Sequence, residues 1–474
     1  MKKRNTKIIC TIGPSIESEE MLVKMFNMGM NVARINFSHG THASAKKHID
    51  TIRRAAQVCD KNIAIMLDTK GPEIRIGDFE NGSCEFKKGD IVSLVKEECI
   101  CTKEKIYINC KELFNDVSKG DVLLIDDGKI SMKVTEVSSD EILCKFINGG
   151  VVKNKKGINA PGIDLSMPFI SQKDYEDIKF GCEQGVDLIA LSFVRTSEDV
   201  LSVRKLLEGF GKPYIEIISK IESQQGVDNL EEILKVSDGI MVARGDLGVE
   251  VAPELVPMYQ KKIIRLANRY GKPVITATHM LESMIENPRP TRAEASDVAN
   301  AILDGCDAIM LSGESAIGKY PLESVSYMNK IALSAEAMID NDAILKDKIK
   351  YGLQTRNDAI SIAACECCLT LPDVKAIFAF TETGGTAKRL CRFRPKAPVF
   401  ACTNSLETSR KLAYYRGIHT VFAKYVDDIS QCDQVVKVVA TNLGFKKGDT
   451  ILFIAGFGEK HGITNTLRII ELND

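Results

Sequence analysis

Lys220 and Glu222 close an apolar run, Ile215-Glu216-Ile217-Ile218-Ser219-Lys220-Ile221-Glu222, and the next apolar run, Asp238–Ala243, ends in Arg244-Gly245-Asp246. Two carboxylates at the tips of consecutive strands can share one hard divalent cation. Mg²⁺ takes one or two protein carboxylates and leaves its other positions to water and substrate phosphate. A lysine two residues before the first carboxylate lies on the same strand face, because strand side chains alternate. Backbone N–H groups of the Arg244-Gly245-Asp246 turn could hold a carboxylate. Together these groups suit a phosphorylated substrate that also bears a carboxylate. Alone, Lys220 would read as surface charge and Asp246 equally well as a helix N-cap. Their spacing and repetition favour chemistry.

Eight short, largely β-branched runs must carry such tips: Lys7–Ile12, Asn31–Phe37, Asn62–Leu67, Asp187–Phe193, Tyr214–Ile221, Asp238–Ala243, Pro273–Thr278 and Cys306–Leu311. Nearly every one precedes a stretch with apolar residues three and four apart, such as Leu255–Tyr270 and Ala293–Leu303, and Ser18, Ser171 and Thr196 are candidate N-caps. Eight βα units in series predict a closed (β/α)8 TIM barrel within an α/β chain, in preference to an open doubly wound sheet. About 95 residues separate the third strand from its helix at Asp174–Gln184, far beyond an ordinary βα loop. Turn signals at Asp126-Asp127-Gly128 and Asn148-Gly149-Gly150 mark this insert as a small all-β domain, able to act as a lid. From about Gln354, helices and strands alternate anew, and Glu323–Asp340 with the polar segment to Arg356 is the expected connection. The predicted division is barrel over 1–71 and 168–341, β insert over 72–167, and a C-terminal α/β domain over 342–474.

Barrel chemistry lies at the C-terminal ends of the strands. Those ends hold Arg34 to His39, Asp68 to Arg75, Lys220 and Glu222, Asp246, Thr278, and Ser312 to Glu314. Asn36, Ser38, Asp68 and Thr69 form an all-oxygen cluster with one formal negative charge, suited to a monovalent cation or to a plain hydrogen-bond network. Arg34, Lys220 and a divalent cation can supply the positive charge that phosphoryl transfer requires.

The chain has 474 residues, 27% charged and 44% hydrophobic, with a net charge of −1. That size suggests about three domains. The balanced charge offers no electrostatic case for nucleic acid or a membrane surface, and no apolar run approaches the roughly 20 residues of a membrane span. The basic start reads as leading into a first strand rather than as a signal peptide, which predicts a cytoplasmic protein. Fifteen cysteines are dilute and lie mostly within apolar runs. They read as free buried thiols, the Cys-x-x-Cys at Cys365 and Cys368 included.

Met66 to Arg75, Ile218 to Glu222, Asp238 to Gly248, Glu282 to Arg292 and Ile309 to Ser315 closely resemble pyruvate kinase, in order and along essentially the whole chain. The likeness is to bacterial-type members without the extra C-terminal phosphohistidine-like domain. It implies phosphoryl transfer from phosphoenolpyruvate to ADP, giving pyruvate and ATP, by a homotetramer. It assigns Lys220 and Arg34 to the phosphoryl group, and Glu222 and Asp246 to Mg²⁺, which Mn²⁺ can replace. Gly245 and Thr278 would bind the substrate, with a water relayed through Thr278 and Ser312 protonating the enolate. Asn36, Ser38, Asp68 and Thr69 match the K⁺ site. Asn36, His39, Arg75 and Lys156 match nucleotide contacts. Glu73 goes with a K⁺ requirement, since members with Lys there dispense with the ion. Where the family usually has Thr-Gln-Met, this chain has Thr278-His279-Met280, and a histidine can titrate near neutrality. Thr381, Thr383, Gly384, Gly385 and Thr386 resemble the phosphate loop of an allosteric site, and 456–462 the loop covering it. The implied effector is fructose 1,6-bisphosphate, AMP or a sugar monophosphate. A metal-dependent aldolase on the same kind of barrel would leave the insert unexplained. A non-catalytic sensor would be expected to have lost Lys220, Glu222 or Asp246.

Overall fold

The computed structural model describes residues 4–38, 40–351, 355–423, 429–457 and 463–472. Eight parallel strands close on themselves: β1 Lys7–Thr11, β2 Val32–Asn36, β3 Ala64–Asp68, β4 Leu188–Leu191, β5 Glu216–Ile221, β6 Gly239–Ala243, β7 Val274–Ala277 and β8 Ala308–Leu311. The seam joins β1 to β8 with Lys7 opposite Ala308 and Cys10 opposite Leu311. One set of alternating residues, including Ile9, Val32, Met66, Ala190, Ile218, Met241, Ile275 and Met310, fills the barrel interior. The other set, including Ile8, Ala33, Leu67 and Ile217, packs against the surrounding helices. Period-two alternation with both faces apolar is what a barrel wrapped by helices requires. Ser18, Ser171 and Thr196 each cap a helix as expected, the last two in full capping boxes.

The insert between β3 and the helix Gln172–Gln184 contains a seven-stranded sheet and a two-stranded ribbon, with its own core of Phe86, Leu94, Leu123, Met132 and Phe146. It also holds one helical turn, Leu113–Asp116, which an all-β reading omits. The C-terminal sheet runs in the order Ile418–Phe422, Val399–Thr403, Val374–Phe380, Thr450–Ala455, Thr466–Glu471. The last of these is an antiparallel edge strand absent from the sequence-based expectation. Two further expectations are corrected. The connection after β8 is not one helix and a polar tail but two helices, Pro321–Glu336 and Asn341–Tyr351. The expected helix Leu406–Tyr415 is α-helical only to Lys411 and tightens into a 3-10 turn over Leu412–Tyr414.

The C-terminal sheet docks on the barrel bottom. Glu216, at the first position of β5 and 4% exposed, is ion-paired with Lys388 and accepts hydrogen bonds from Tyr414 at 2.5 Å and Tyr415 at 3.0 Å. The mouth, at the other end of the same strands, is left to the insert.

Candidate active site

At the mouth, β2, β3, β4 and β5 deliver one buried cluster. Arg34 Nε donates to Asp68 Oδ2 at 2.6 Å, and its Nη1 donates to Thr11 Oγ1 at 2.9 Å. Lys220 Nζ lies 3.1 Å from Asp68 Oδ1, 3.0 Å from Glu222 Oε1 and 2.7 Å from Ser192 Oγ. Burial pushes the Asp68 carboxyl up, but Arg34 and Lys220 outweigh it and hold Asp68 below the usual carboxylate range. Burial likewise pulls Lys220 down, yet Asp68 and Glu222 prevail and hold it above its ordinary value. The ammonium is thus charged and fixed in place, in a setting where its field is little screened.

Glu222 differs from Asp68. It is fully buried, and burial pushes it up to about 8, with Lys220 opposing and Asp246 adding to the rise. Its Oε2 accepts the Phe193 N–H at 2.6 Å. Its Oε1 has the Lys220 ion pair but accepts no hydrogen bond. A buried carboxylate oxygen with a vacant lone pair beside a second carboxylate fits a hard cation. Among the described residues no three acidic, histidine or cysteine side chains converge. Glu222 and Asp246 would therefore supply two ligands and leave the rest to water and substrate, the usual habit of Mg²⁺.

Asp246 is not an N-cap. The expected Arg244-Gly245-Asp246 turn is the first turn of a helix, Arg244–Glu250, capped by Ala243. Gly245 N–H does not stand open: it donates to Thr278 Oγ1 at 2.7 Å. Arg244 pins this helix by donating to the Thr278 carbonyl and to both oxygens of Asp297. Ser312 Oγ is buried without a hydrogen-bond partner, while the Ser312 and Leu281 N–H groups converge on buried Glu314.

The four residues of the expected monovalent site split between two strand ends. Asn36 Oδ1 accepts the Ser38 N–H, the Asp68 carbonyl accepts the Phe37 N–H, and Thr69 Oγ1 accepts the Ser192 N–H. The hydrogen-bond network is therefore present, and its donors to an ion would all be oxygen. His39 lies outside the described residues.

Arg75, Lys156 and Asp246 line one cleft of about 710 Å³ between the insert and the barrel. Arg75 is held by Glu73 at 2.8 Å and by the Lys155 carbonyl at 2.8 Å, and Lys156 by Asp126 at 2.6 Å. Across the cleft, Asn159 donates to Glu250 at 2.7 Å, so the insert already touches the helix that carries Asp246. The Thr381–Thr386 loop opens a helix in the C-terminal sheet, away from this cleft. There the Thr381 hydroxyl accepts the Gly384 N–H, Thr386 bonds to Thr464, and Thr383 is exposed. Of the covering segment 456–462, residues 458–462 lie outside the described residues.

Sequence reasoning passed over Ser192, Phe193 and Thr11. Ser192 and Thr11 sit at the tips of β4 and β1, the two strand ends not read for chemistry. Applying the same rule to all eight strands would have found both. Phe193 matters through its backbone, at φ 54°, which no residue type announces.

Residues 3–325 match the family model described as pyruvate kinase, barrel domain, and residues 358–470 match pyruvate kinase, alpha/beta domain. The chain is 49% identical over 477 residues to the pyruvate kinase of Staphylococcus saprophyticus, covering 99% of this chain and 81% of that protein. It is 48% identical over 477 residues to that of Geobacillus stearothermophilus, covering 100% and 81%.

Proposed function

Because the chain belongs to the pyruvate kinase family and is a phosphotransferase, we propose that it transfers the phosphoryl group of phosphoenolpyruvate to ADP in the cytoplasm. The products are pyruvate and ATP, and the step is the last of glycolysis. The observation that carries this reading is Lys220, buried and charged between Asp68, Glu222 and Ser192 at the barrel mouth.

Phosphoryl transfer asks little covalent help of the protein and much positioned positive charge. Lys220 faces the phosphoryl group as its P–O bond to the enol oxygen breaks and the bond to the ADP oxygen forms. Arg34 uses Nε and Nη1 within the protein and keeps its remaining N–H groups for a phosphate oxygen. Glu222 and Asp246 would hold Mg²⁺ or Mn²⁺, which would supply Lewis-acid charge to the phosphorylated substrate. The first turn of the Arg244–Glu250 helix takes the substrate carboxylate, with the Gly245 N–H passing from Thr278 to the ligand. That exchange frees the Thr278 hydroxyl to order the water that protonates the enolate carbon, and the unpartnered Ser312 hydroxyl is suited to the same relay.

Arg75 and Lys156 bind the nucleotide phosphates with Asn36 and His39. Each must first exchange its present carboxylate, Glu73 or Asp126, for phosphate, and closure of the insert on the cleft would accompany the exchange. Asn36, Ser38, Asp68 and Thr69 would hold K⁺ through their oxygen atoms. The Thr381–Thr386 loop takes an activating phosphorylated metabolite, and the assembly is a homotetramer. A coupled assay for pyruvate from phosphoenolpyruvate and ADP tests the reaction. No signal with Mg²⁺ and K⁺ present, with or without sugar phosphates and AMP, would refute it.

A further inference from the structure

A second large cavity, about 640 Å³, opens on the opposite side of the molecule from the mouth, where the barrel meets the C-terminal sheet. Its walls come from the helices Val256–Tyr270 and Asn341–Tyr351 and from the ends of the helices Arg292–Asp304 and Gly385–Arg392. Six cationic side chains line it, Lys261, Arg265, Arg269, Lys348, Arg392 and Arg394, against two carboxylates, Asp304 and Asp347. The whole chain carries only −1. So dense a positive concavity repels itself and focuses its field on anions.

Structural duties account for some of these cations. Lys261 pairs with Asp304, Arg392 lies 3.7 Å from Asp358, and buried Arg394 donates to Asn268 and to the Gly305 carbonyl. Arg265 and Arg269 have no carboxylate or hydrogen-bond acceptor for their guanidinium groups among the described residues. Their four-residue spacing puts them on one face of their helix. Arg269 lies over the Tyr351 ring, 5.7 Å from its centroid. Lys348 reaches only long contacts to Asn268, at 3.3 and 3.4 Å, and burial together with Arg394 and Arg392 pushes it down to about 7. Beside the charges stand half-exposed apolar groups, Leu303 at 48% and Tyr351 at 53%. Arginines with open forks suit phosphate oxygens, and the apolar rim suits an organic moiety attached to them.

We infer that this cavity is a binding site for a phosphate monoester of a small organic metabolite, distinct from the barrel mouth and from the Thr381–Thr386 loop. Arg265 and Arg269 clasp the phosphate, and Leu303 and Tyr351 cover the organic part.

Inorganic phosphate, glucose 6-phosphate and adenosine 5′-monophosphate are each titrated calorimetrically into the full-length protein and three variants. These are R265Q/R269Q, R265K/R269K and, as a control for the other loop, T383A/T386A. At least one ester is expected to bind more tightly than inorganic phosphate. Its affinity should fall at least about tenfold in R265Q/R269Q, fall less in R265K/R269K, and stay unchanged in T383A/T386A. Both arginines are exposed, so melting temperature should hold. The inference is overturned if no ester binds at millimolar concentration, if R265Q/R269Q binds like the parent, if the loss instead follows T383A/T386A, or if inorganic phosphate binds as well as the esters. Because the readout is binding, its failure leaves the catalytic reading untouched, and the pyruvate assay separately tests that.

Discussion

Glu222→Gln should stabilise the metal-free protein while destroying its activity. Glu222 titrates near 4.5 in an unfolded chain and is pushed up to about 8 in the folded one by burial and Asp246. The folded pKa is the higher, so the group favours folding most at low pH. As pH rises from 4.5 through 8, the unfolded state sheds its proton first, and stability falls by about 1.4 kcal/mol per pH unit. Across the whole interval the loss is about 5 kcal/mol, and at pH 7 about 3 kcal/mol. Glutamine keeps the shape and an oxygen for the Phe193 N–H but never ionises, and Lys220 retains Asp68. Urea unfolding of chelator-treated protein should show variant and parent alike at the acid end, with the variant's advantage growing through neutrality. Added Mg²⁺ should raise the parent's midpoint and leave the variant's unchanged. Turnover of the variant should drop by about 10³-fold or more. Parallel pH profiles for the two proteins, or near-normal turnover by the variant, would refute the reasoning.

Lys220→Met should lower kcat by about 10³-fold or more with an unchanged circular dichroism spectrum; ordinary turnover would overturn the role given to the ammonium. Ser192→Ala removes the 2.7 Å contact that aims Lys220 and should cost about tenfold in kcat with little change in KM, whereas a purely structural serine would alter melting temperature alone. Replacing K⁺ by Na⁺ or tetramethylammonium should abolish most activity, and Glu73→Lys should relieve the requirement; full parental turnover without K⁺ would sink that idea. Without denaturant, a thiol reagent should reach only the partly exposed Cys59, Cys84, Cys99 and Cys367, since the other eleven of the fifteen free cysteines are buried; rapid loss of all fifteen thiols would contradict the burial.

The barrel strands were legible because each is a short apolar run whose two faces are both buried, and tips such as Lys220-Ile221-Glu222 break that pattern with charge. The insert was legible from its length and turn residues. Less visible was whatever depends on a distant partner. Thr466–Glu471 is an edge strand, with exposed Ile469 and partly exposed Leu467, and alternates too weakly to declare itself. Asn341–Tyr351 is polar over most of its length and buries only Leu345, so its helical period is masked. At the site, the family resemblance assigned Arg75 and Lys156 to nucleotide phosphates, yet nothing local foretold that Glu73 and Asp126 would occupy them. Ser192 looks like any loop serine until the fold brings Asp68 and Lys220 beside it.

The backbone conflicts at the mouth point the same way as the charges. Phe193, Thr278 and His279 adopt φ values of 54°, 63° and 52°. Such conformations are uncommon for residues with a Cβ, and for a β-branched threonine they are outliers costing about 1–3 kcal/mol. Each lies at the C-terminal end of a barrel strand, and two have an evident purpose. The turn at Phe193 aims its N–H into Glu222, and the turn at Thr278 brings its hydroxyl onto the Gly245 N–H. Glycine would relax the backbone at 278 but would remove the hydroxyl. The strain therefore survives because the side chain is needed there. Beside it, Glu222 is kept in a pocket that disfavours its charge. In the proposed reaction a cation would neutralise Glu222 and so lower the cost of burying its charge, while a substrate carboxylate would take the Gly245 N–H and leave the Thr278 hydroxyl free, with its backbone unchanged. Binding energy would thereby act at the points where, in the proposed reaction, the transferring phosphoryl group and the developing enolate lie.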